Sequence, residues 1–267
     1  MERMVTLIGY GEAGRTFARA GGWGQRAHVF DIKIDHPAFR DAMLANFDAD
    51  GIPGVTNLED AVVGRHTILS LVTANQAFSV AQNTALHMLP GALYFDMNSV
   101  APETKREAAK VIDSAGGHYI DVAIMAPVNP SRLSVPLLVS GQQSRDGVKV
   151  LTALGFTKPR AVAGDVGAAS SIKMIRSIMV KGQEALTAEM MLAAEQAGVV
   201  DEVLSSLGDG WHAKAEYNLE RMRTHGVRRA VEMEEVAKTL DALGVEPLMT
   251  KGTIQRQREM AQMELNA

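Results

Sequence analysis

The sequence predicts an α/β domain with a doubly wound, mostly parallel sheet, followed by an all-α domain. Three observations carry this. Short apolar runs alternate with amphipathic segments over the first 165 residues, strand signals nearly vanish after Ala163-Gly164-Asp165, and long helical patterns fill the rest. Residues 5–8, 27–30, 67–71, 92–95, 119–122 and 136–139 read as strands, being short, apolar and bounded by turn residues. Between them, 75–88 and 102–115 carry helical periodicity. The second has Pro102 near its start and Gly116-Gly117 after its end, the usual helix punctuation. Strand–helix–strand alternation at this spacing calls for right-handed crossovers and a parallel sheet. Helices are expected at 167–197, 199–209, 211–224, 226–243 and 247–264, separated by Gly198, Gly210, Gly226 and Gly244. The predicted domains are 1–165 and 166–267.

Composition narrows the function classes. With 267 residues and 46% hydrophobic content, the chain can bury two cores. A net charge of −4 supplies no basic field to draw nucleic acid or anionic lipid, so neither partner is expected. The absence of cysteine rules out disulfides, thiolate metal sites and a cysteine nucleophile, and no metal site is expected. No apolar stretch approaches the roughly 18–20 residues that span a bilayer. The start of the chain lacks a signal-peptide pattern, so a soluble cytoplasmic protein is expected. Fifteen methionines, many in the second half, read as gap fillers between helices.

Gly9-Tyr10-Gly11-Glu12-Ala13-Gly14 matches GxGxxG between the first strand and a helix that begins near Glu12. Gly9 permits the tight turn, Gly11 lets the backbone approach a pyrophosphate, and Gly14 allows close helix–strand packing. The helix start at Glu12 and Ala13 offers N–H groups and a favourable dipole. This is a Rossmann-type dinucleotide site. Asp31 ends the second strand, where its carboxylate can accept hydrogen bonds from a ribose and repel a 2′-phosphate; this favours NAD. Lys33 and Arg40 lie near enough in sequence to reach a phosphate, which keeps NADP open. Val72 and Thr73 follow the third strand, at the carboxyl edge where open sheets bind ligands, and Asn75 is placed to cap the next helix. Asn98 and Ser99 follow the fourth strand and are candidates for contacts to the nicotinamide ribose or to substrate. A plain turn and helix cap is the alternative there.

The run from Gly164 to Lys173 opens the long helix, roughly 30 residues or on the order of 45 Å. Its small residues leave room for another group to approach the backbone. Lys173 interrupts an otherwise buried-looking stretch, 168–174. A lysine on an apolar helix face has its pKa lowered by desolvation, which suits proton transfer. Arg176, one turn further, is placed to hold a substrate carboxylate. By spacing alone, Lys173, Arg176 and Lys181 also fit the wet side of an amphipathic helix.

With GxGxxG, Asp96-Met97-Asn98-Ser99, the stretch 121–127 and Gly164…Gly167…Lys173 all in order, the sequence resembles the 3-hydroxyacid dehydrogenase family over nearly its whole length. That family includes 3-hydroxyisobutyrate and 6-phosphogluconate dehydrogenases. The resemblance implies that Lys173 is the general acid/base and that the substrate is a small carboxylate-bearing alcohol. It also implies a homodimer formed through the long helix and C-terminal domain. The chain departs from the family pattern at Met125, where the substrate strand–loop usually carries a glycine pair nearby, and at Ser177, where asparagine is usual. It reads as a divergent branch. Imine reduction and a non-catalytic NAD-binding role are the alternatives. His212, His225, Arg228 and Arg229 are further polar groups of the helical domain. Either arginine is a candidate for an acidic substrate group, and surface charge is the simpler reading.

Overall fold

The computed structural model describes residues 4–265. The first unit contains β1 (Val5–Ile8), α1 (Glu12–Ala20), β2 (Ala27–Phe30), α2 (Pro37–Ala49), α3 (Leu58–Val62), β3 (Thr67–Ser70), α4 (Ala77–Ala85), β4 (Leu93–Asp96), α5 (Pro102–Ser114), β5 (His118–Ile124), β6 (Leu137–Ser140), α6 (Ser144–Ala153) and β7 (Pro159–Ala161). Then follow α7 (Ala168–Ala197), α8 (Val200–Ser206), α9 (Trp211–Ala242) and α10 (Leu248–Leu265). Two compact units divide inside α7, between Lys173 and Met174. The fold is a Rossmann-type doubly wound domain followed by an all-α domain.

The sheet order is β2-β1-β3-β4-β5-β6-β7. Strands β1 to β5 are parallel, β6 runs antiparallel to β5, and β7 is parallel to β6. Every residue of β1 and β3 is buried, as expected of central strands covered on both faces by helices. β7 was not expected: its Pro159-Arg160-Ala161 has no apolar run to signal it. Order reverses between β2 and β3 around β1, and this switch point opens a crevice at the carboxyl ends of β1 and β3.

Asp50 ties α1 to the end of α2. Its carboxylate accepts from Tyr10 Oη at 2.9 Å and from Arg15 Nε at 2.6 Å. Burial alone pushes this carboxyl up. The hydrogen bonds from Arg15 and Tyr10, with the charges of Arg15 and Arg19, outweigh it and hold the group below its usual value. A depressed folded-state value contributes stability above the unfolded pKa, about 3.9, and the contribution is lost as pH falls through the folded value. Asp50→Asn is therefore expected to flatten the acid limb of stability measured by urea denaturation below about pH 4. An unchanged limb would contradict this.

In the second unit, buried Met191, Met222 and Met260 join alanines and leucines in one cluster, while Met174 and Met233 join Val236 and Leu240 in another. The expected break at Gly226 is absent, and α9 is continuous through it. The glycine is there for packing: a Cβ at 226 would lie 2.3 Å from the Gln257 carbonyl oxygen of α10. Arg229, read as a surface charge or a substrate contact, is instead buried and paired with Glu184. Gln257 also donates to Glu184 at 3.1 Å. Lys181 is buried too, 2.8 Å from Glu232; burial pushes its ammonium down, and the Glu232 charge offsets part of that.

Candidate active site

β1 leads into the glycine loop at the switch point. Gly9 has φ +97°, and a Cβ there would stand 2.4 Å from the Leu71 carbonyl oxygen at the end of β3. A Cβ at Gly14 would stand 2.3 Å from the Gly9 carbonyl oxygen, so both positions are closed by main chain. Gly11 differs. Nothing lies within 4 Å of its Cβ position, so space is open where Gly11 caps α1. No side chain caps this helix, and its first internal bond is Arg15 N–H to the Gly11 carbonyl at 3.0 Å. Glu12, exposed, and Ala13, half-buried, make up the first turn. An open cradle before a helix start with no side-chain cap fits the pyrophosphate of a dinucleotide.

Asp31 is buried at the end of β2. Its carboxylate accepts from the Tyr10 amide at 2.7 Å, fixing the glycine loop, and from the Lys33 amide at 2.9 Å. Each oxygen keeps lone-pair capacity for a ribose hydroxyl. Of the two cations that kept a phosphate in play, Arg40 donates Nε to the Ile34 carbonyl at 2.7 Å. The Lys33 ammonium stands 6.0 Å from the Phe39 ring centre.

Asn98 bridges the ends of β3 and β4. Its Oδ1 accepts from the Val72 amide at 2.7 Å, and its Nδ2 donates to Ser70 Oγ at 3.0 Å. One amide hydrogen remains for a ligand. The neighbouring Ser99 hydroxyl is buried with no hydrogen-bond partner, an orphan of the kind that a bound ribose or substrate would satisfy. Thr73 donates its hydroxyl to Asn75 Oδ1 at 2.7 Å. Asn75 lies within a short 3-10 turn and does not cap α4, whose preceding residue is Gln76.

Behind these residues lies a buried polar chain that sequence reasoning missed. Lys105, on α5, is fully buried and donates to the Asp96 carbonyl at 2.7 Å and to Asp96 Oδ1 at 2.8 Å. The same ammonium is 3.5 Å from Asp121 Oδ1. Tyr119 donates to Asp96 Oδ2 at 2.5 Å. Burial, the charges of Asp96 and Asp121 and this hydrogen bond hold its phenol well above the ordinary value, so it stays a donor. The Asn98 amide closes on Asp96 Oδ1 at 2.9 Å. Asp121 in turn accepts from the amides of Gly167 and Ser170, each at 3.1 Å, at the start of α7. The signal was present in α5, where Lys105 falls in phase with buried Ala108, Ala109 and Ile112.

A family model described as the NAD binding domain of 6-phosphogluconate dehydrogenase matches residues 4–147. The chain belongs to the 6-phosphogluconate dehydrogenase-like 3-hydroxyacid dehydrogenases. A second model, a domain of unknown function (DUF1932), matches residues 194–260 of this 3-hydroxyacid dehydrogenase-like chain. Among solved structures, a conserved hypothetical protein from Sinorhizobium meliloti is 34% identical with a TM-score of 0.76, over 97% of this chain and 88% of that one. A conserved protein of unknown function, reported as structurally similar to 3-hydroxyacid dehydrogenases, is 28% identical with a TM-score of 0.73, over 98% of each chain. The Mycobacterium tuberculosis 3-hydroxyisobutyrate dehydrogenase shares the fold at 16% identity and a TM-score of 0.77, over 98% of this chain and 94% of that one.

In this dehydrogenase-like chain, Lys173 is half-buried in the second turn of α7. The stretch 168–174 is not buried throughout as expected, because Ile172 is exposed. Arg176 is exposed one turn on. Met125 packs with Ala123, Leu138 and Ala169, so its bulk fills the space beside the first turn of α7. In the second unit, His212 is exposed 3.8 Å from Asp201, and Arg228 lies 3.9 Å from Glu232. His225 is half-buried on α9. Among the described residues no cluster of histidine and carboxylate groups is arranged for a metal ion, and no helix is long and apolar enough to cross a membrane.

Proposed function

We propose that the protein is an NAD-dependent dehydrogenase that oxidises a secondary alcohol beta to a carboxylate, with Lys173 as the proton acceptor. One observation carries the reading. An unbroken series of contacts joins the glycine loop to the start of α7: Gly9 against Leu71, Val72 to Asn98, Asn98 to Asp96, Lys105 between Asp96 and Asp121, and Asp121 to Gly167 and Ser170. The nucleotide cradle and the lysine-bearing helix are thus set by one buried scaffold.

Gly9, Gly11, Glu12, Ala13 and Gly14 would hold the pyrophosphate, and Asp31 the adenosine ribose. Val72, Thr73 and Asn98 would line the nicotinamide side. Bound there, NAD supplies the hydride acceptor. The protein's own part is to orient the alcohol through Asn98, Ser99 and Arg176, with Met125 shaping the pocket, and to take the hydroxyl proton at Lys173 Nζ. Asp31 favours NAD, since a second negative group beside it would be repelled.

Gly11→Ala separates cradle from fold. Open space at its Cβ predicts a stability change within about 0.5 kcal/mol. A methyl group between the backbone and a pyrophosphate predicts at least about tenfold weaker NADH binding, read by fluorescence titration. Unchanged affinity would move the cofactor elsewhere.

The function itself is tested by a panel of 3-hydroxy acids with NAD and NADP, followed by absorbance of the reduced nicotinamide. Turnover of a cyclic imine but of no hydroxy acid would replace the reading with imine reduction, and NADH binding without any turnover would leave a binding protein. A cytoplasmic homodimer remains part of the proposal. Exposed Ile172, Ile175, Met179 and Leu186 along α7 support self-association, and a monomer mass by light scattering would reject it.

A further inference from the structure

Helix α7 begins without a cap of its own. The residue before it is Gly167, which has no side chain to offer, and the first internal bond runs from the Ser171 amide to the Gly167 carbonyl at 2.8 Å. The preceding amides would be orphans by helix geometry alone. They are met instead, and mostly from the sheet. The Ala169 amide donates to Ser140 Oγ at 3.0 Å, and the Gly167 and Ser170 amides donate to Asp121 Oδ2. Only the Ala168 amide turns to its own loop, at the Asp165 carbonyl. Two hydroxyls complete the lock: Ser170 Oγ donates to Asp121 Oδ1 at 2.7 Å, and Ser140 Oγ donates to Asp121 Oδ2 at 2.9 Å.

Asp121 and Ser140 face each other across the antiparallel pair β5 and β6, both fully buried. The helix start is also crowded from outside, since a Cβ at Gly167 would stand 3.1 Å from Pro102 Cβ. A carboxylate in this place favours the positive end of the helix dipole, and its hydrogen bonds are charge-assisted. A local serine or asparagine would satisfy the same amides without fixing where the helix points. A cap borrowed from two strands fixes it.

We infer that Asp121 and Ser140 are positioning residues for Lys173, setting the first two turns of α7 from the sheet so that the lysine is held at the reacting alcohol. This rests on the reading of Lys173 as proton acceptor. A displacement of about 1 Å at a reacting group costs on the order of a hundredfold in rate, so loosening the cap should be felt at Lys173.

The test uses the full chain with Ser140→Ala, Asp121→Asn and Ser140→Thr. Amide exchange at Gly167, Ala169 and Ser170 is read by NMR, and turnover is read with 3-hydroxyisobutyrate and NAD. Ser140→Ala is expected to raise exchange at Ala169 about tenfold or more. It should lower kcat roughly tenfold to a hundredfold with KM for NAD little changed. Ser140→Thr, which keeps the hydroxyl, should restore both. Faster exchange with unchanged kcat overturns the positioning role, and unchanged exchange overturns the cap. A fall in NAD affinity equal to the fall in kcat also overturns it, as general damage. If Asp121→Asn does not fold, the two Ser140 variants decide alone. If Lys173→Ala keeps full turnover, or the wild type turns over no hydroxy acid, the lysine reading fails and the positioning role with it. Exchange then still accepts or rejects the cap.

Discussion

Lys173→Ala is expected to lower turnover about 10²–10⁴-fold, the range for loss of a general acid–base group, while NADH binding stays nearly intact. The asymmetry follows from where the groups sit. Gly9 is backed by the Leu71 carbonyl just after β3, Gly14 by the Gly9 carbonyl, and the space at Gly11 is open. The neighbours of these three positions thus come from the first domain's own loop and sheet. Lys173 lies in the second turn of a helix whose first turn is bonded independently through Gly167, Ala169 and Ser170. If Lys173 is the proton acceptor, truncating it is therefore expected to act on turnover, while the contacts at Gly9 and Gly14 that shape the loop stay in place. Steady-state kinetics against the best hydroxy acid, together with a fluorescence titration of NADH, separates the two effects. Parallel loss of binding and turnover would indicate damage to the fold, and full turnover would take Lys173 out of the chemistry.

Lys105→Met should cost about 3–5 kcal/mol of stability, the usual result of breaking a buried ion pair from one side. Methionine is close to lysine in length and fills the space, so the loss is electrostatic. Asp96 and Asp121, both fully buried, would lose the ammonium that stands between them. The Asp96 carbonyl would lose its donor as well. Domains are stable by only about 5–15 kcal/mol, so this one change removes a large fraction. Urea denaturation with an unchanged slope and a lowered midpoint is the expected record. A loss under about 1 kcal/mol would mean that the pair is stabilised by something other than the lysine. The same lesion should reach function, because this link connects Asn98 to the start of α7.

Much of the fold was legible because burial and local sequence agree. Central strands such as Val5–Ile8 and Thr67–Ser70 are short, largely apolar runs bounded by turn residues, and their existence as strands needs no distant information. The GxGxxG segment was legible as a glycine turn between β1 and α1. Gly14 is closed locally by the Gly9 carbonyl, whereas Gly9 meets Leu71, which only the fold brings beside it. What stayed hidden depends on partners far along the chain. β7 exists because it pairs with β6, not because Pro159-Arg160-Ala161 favours a strand. Lys105 shares the buried phase of Ala108, Ala109 and Ile112, but what the charge does there is set by Asp96 and Asp121 on two other elements. Arg229 looked like surface charge because its Glu184 partner lies on another helix. The cap of α7 could not be read from its own neighbourhood at all, since Asp121 and Ser140 are contributed by separate strands.

The glycine inside α9 has one more consequence. Because the Gln257 main chain comes so close at position 226, the two helices have a notch at that height and nowhere adjacent. Sliding α10 along α9 by one turn, roughly 5.4 Å, would bring the crossing point against Met222 or Ala230, and a side chain would then stand in the gap. A single missing methyl group thus selects one axial position for the pair, as a tooth selects the setting of a ratchet.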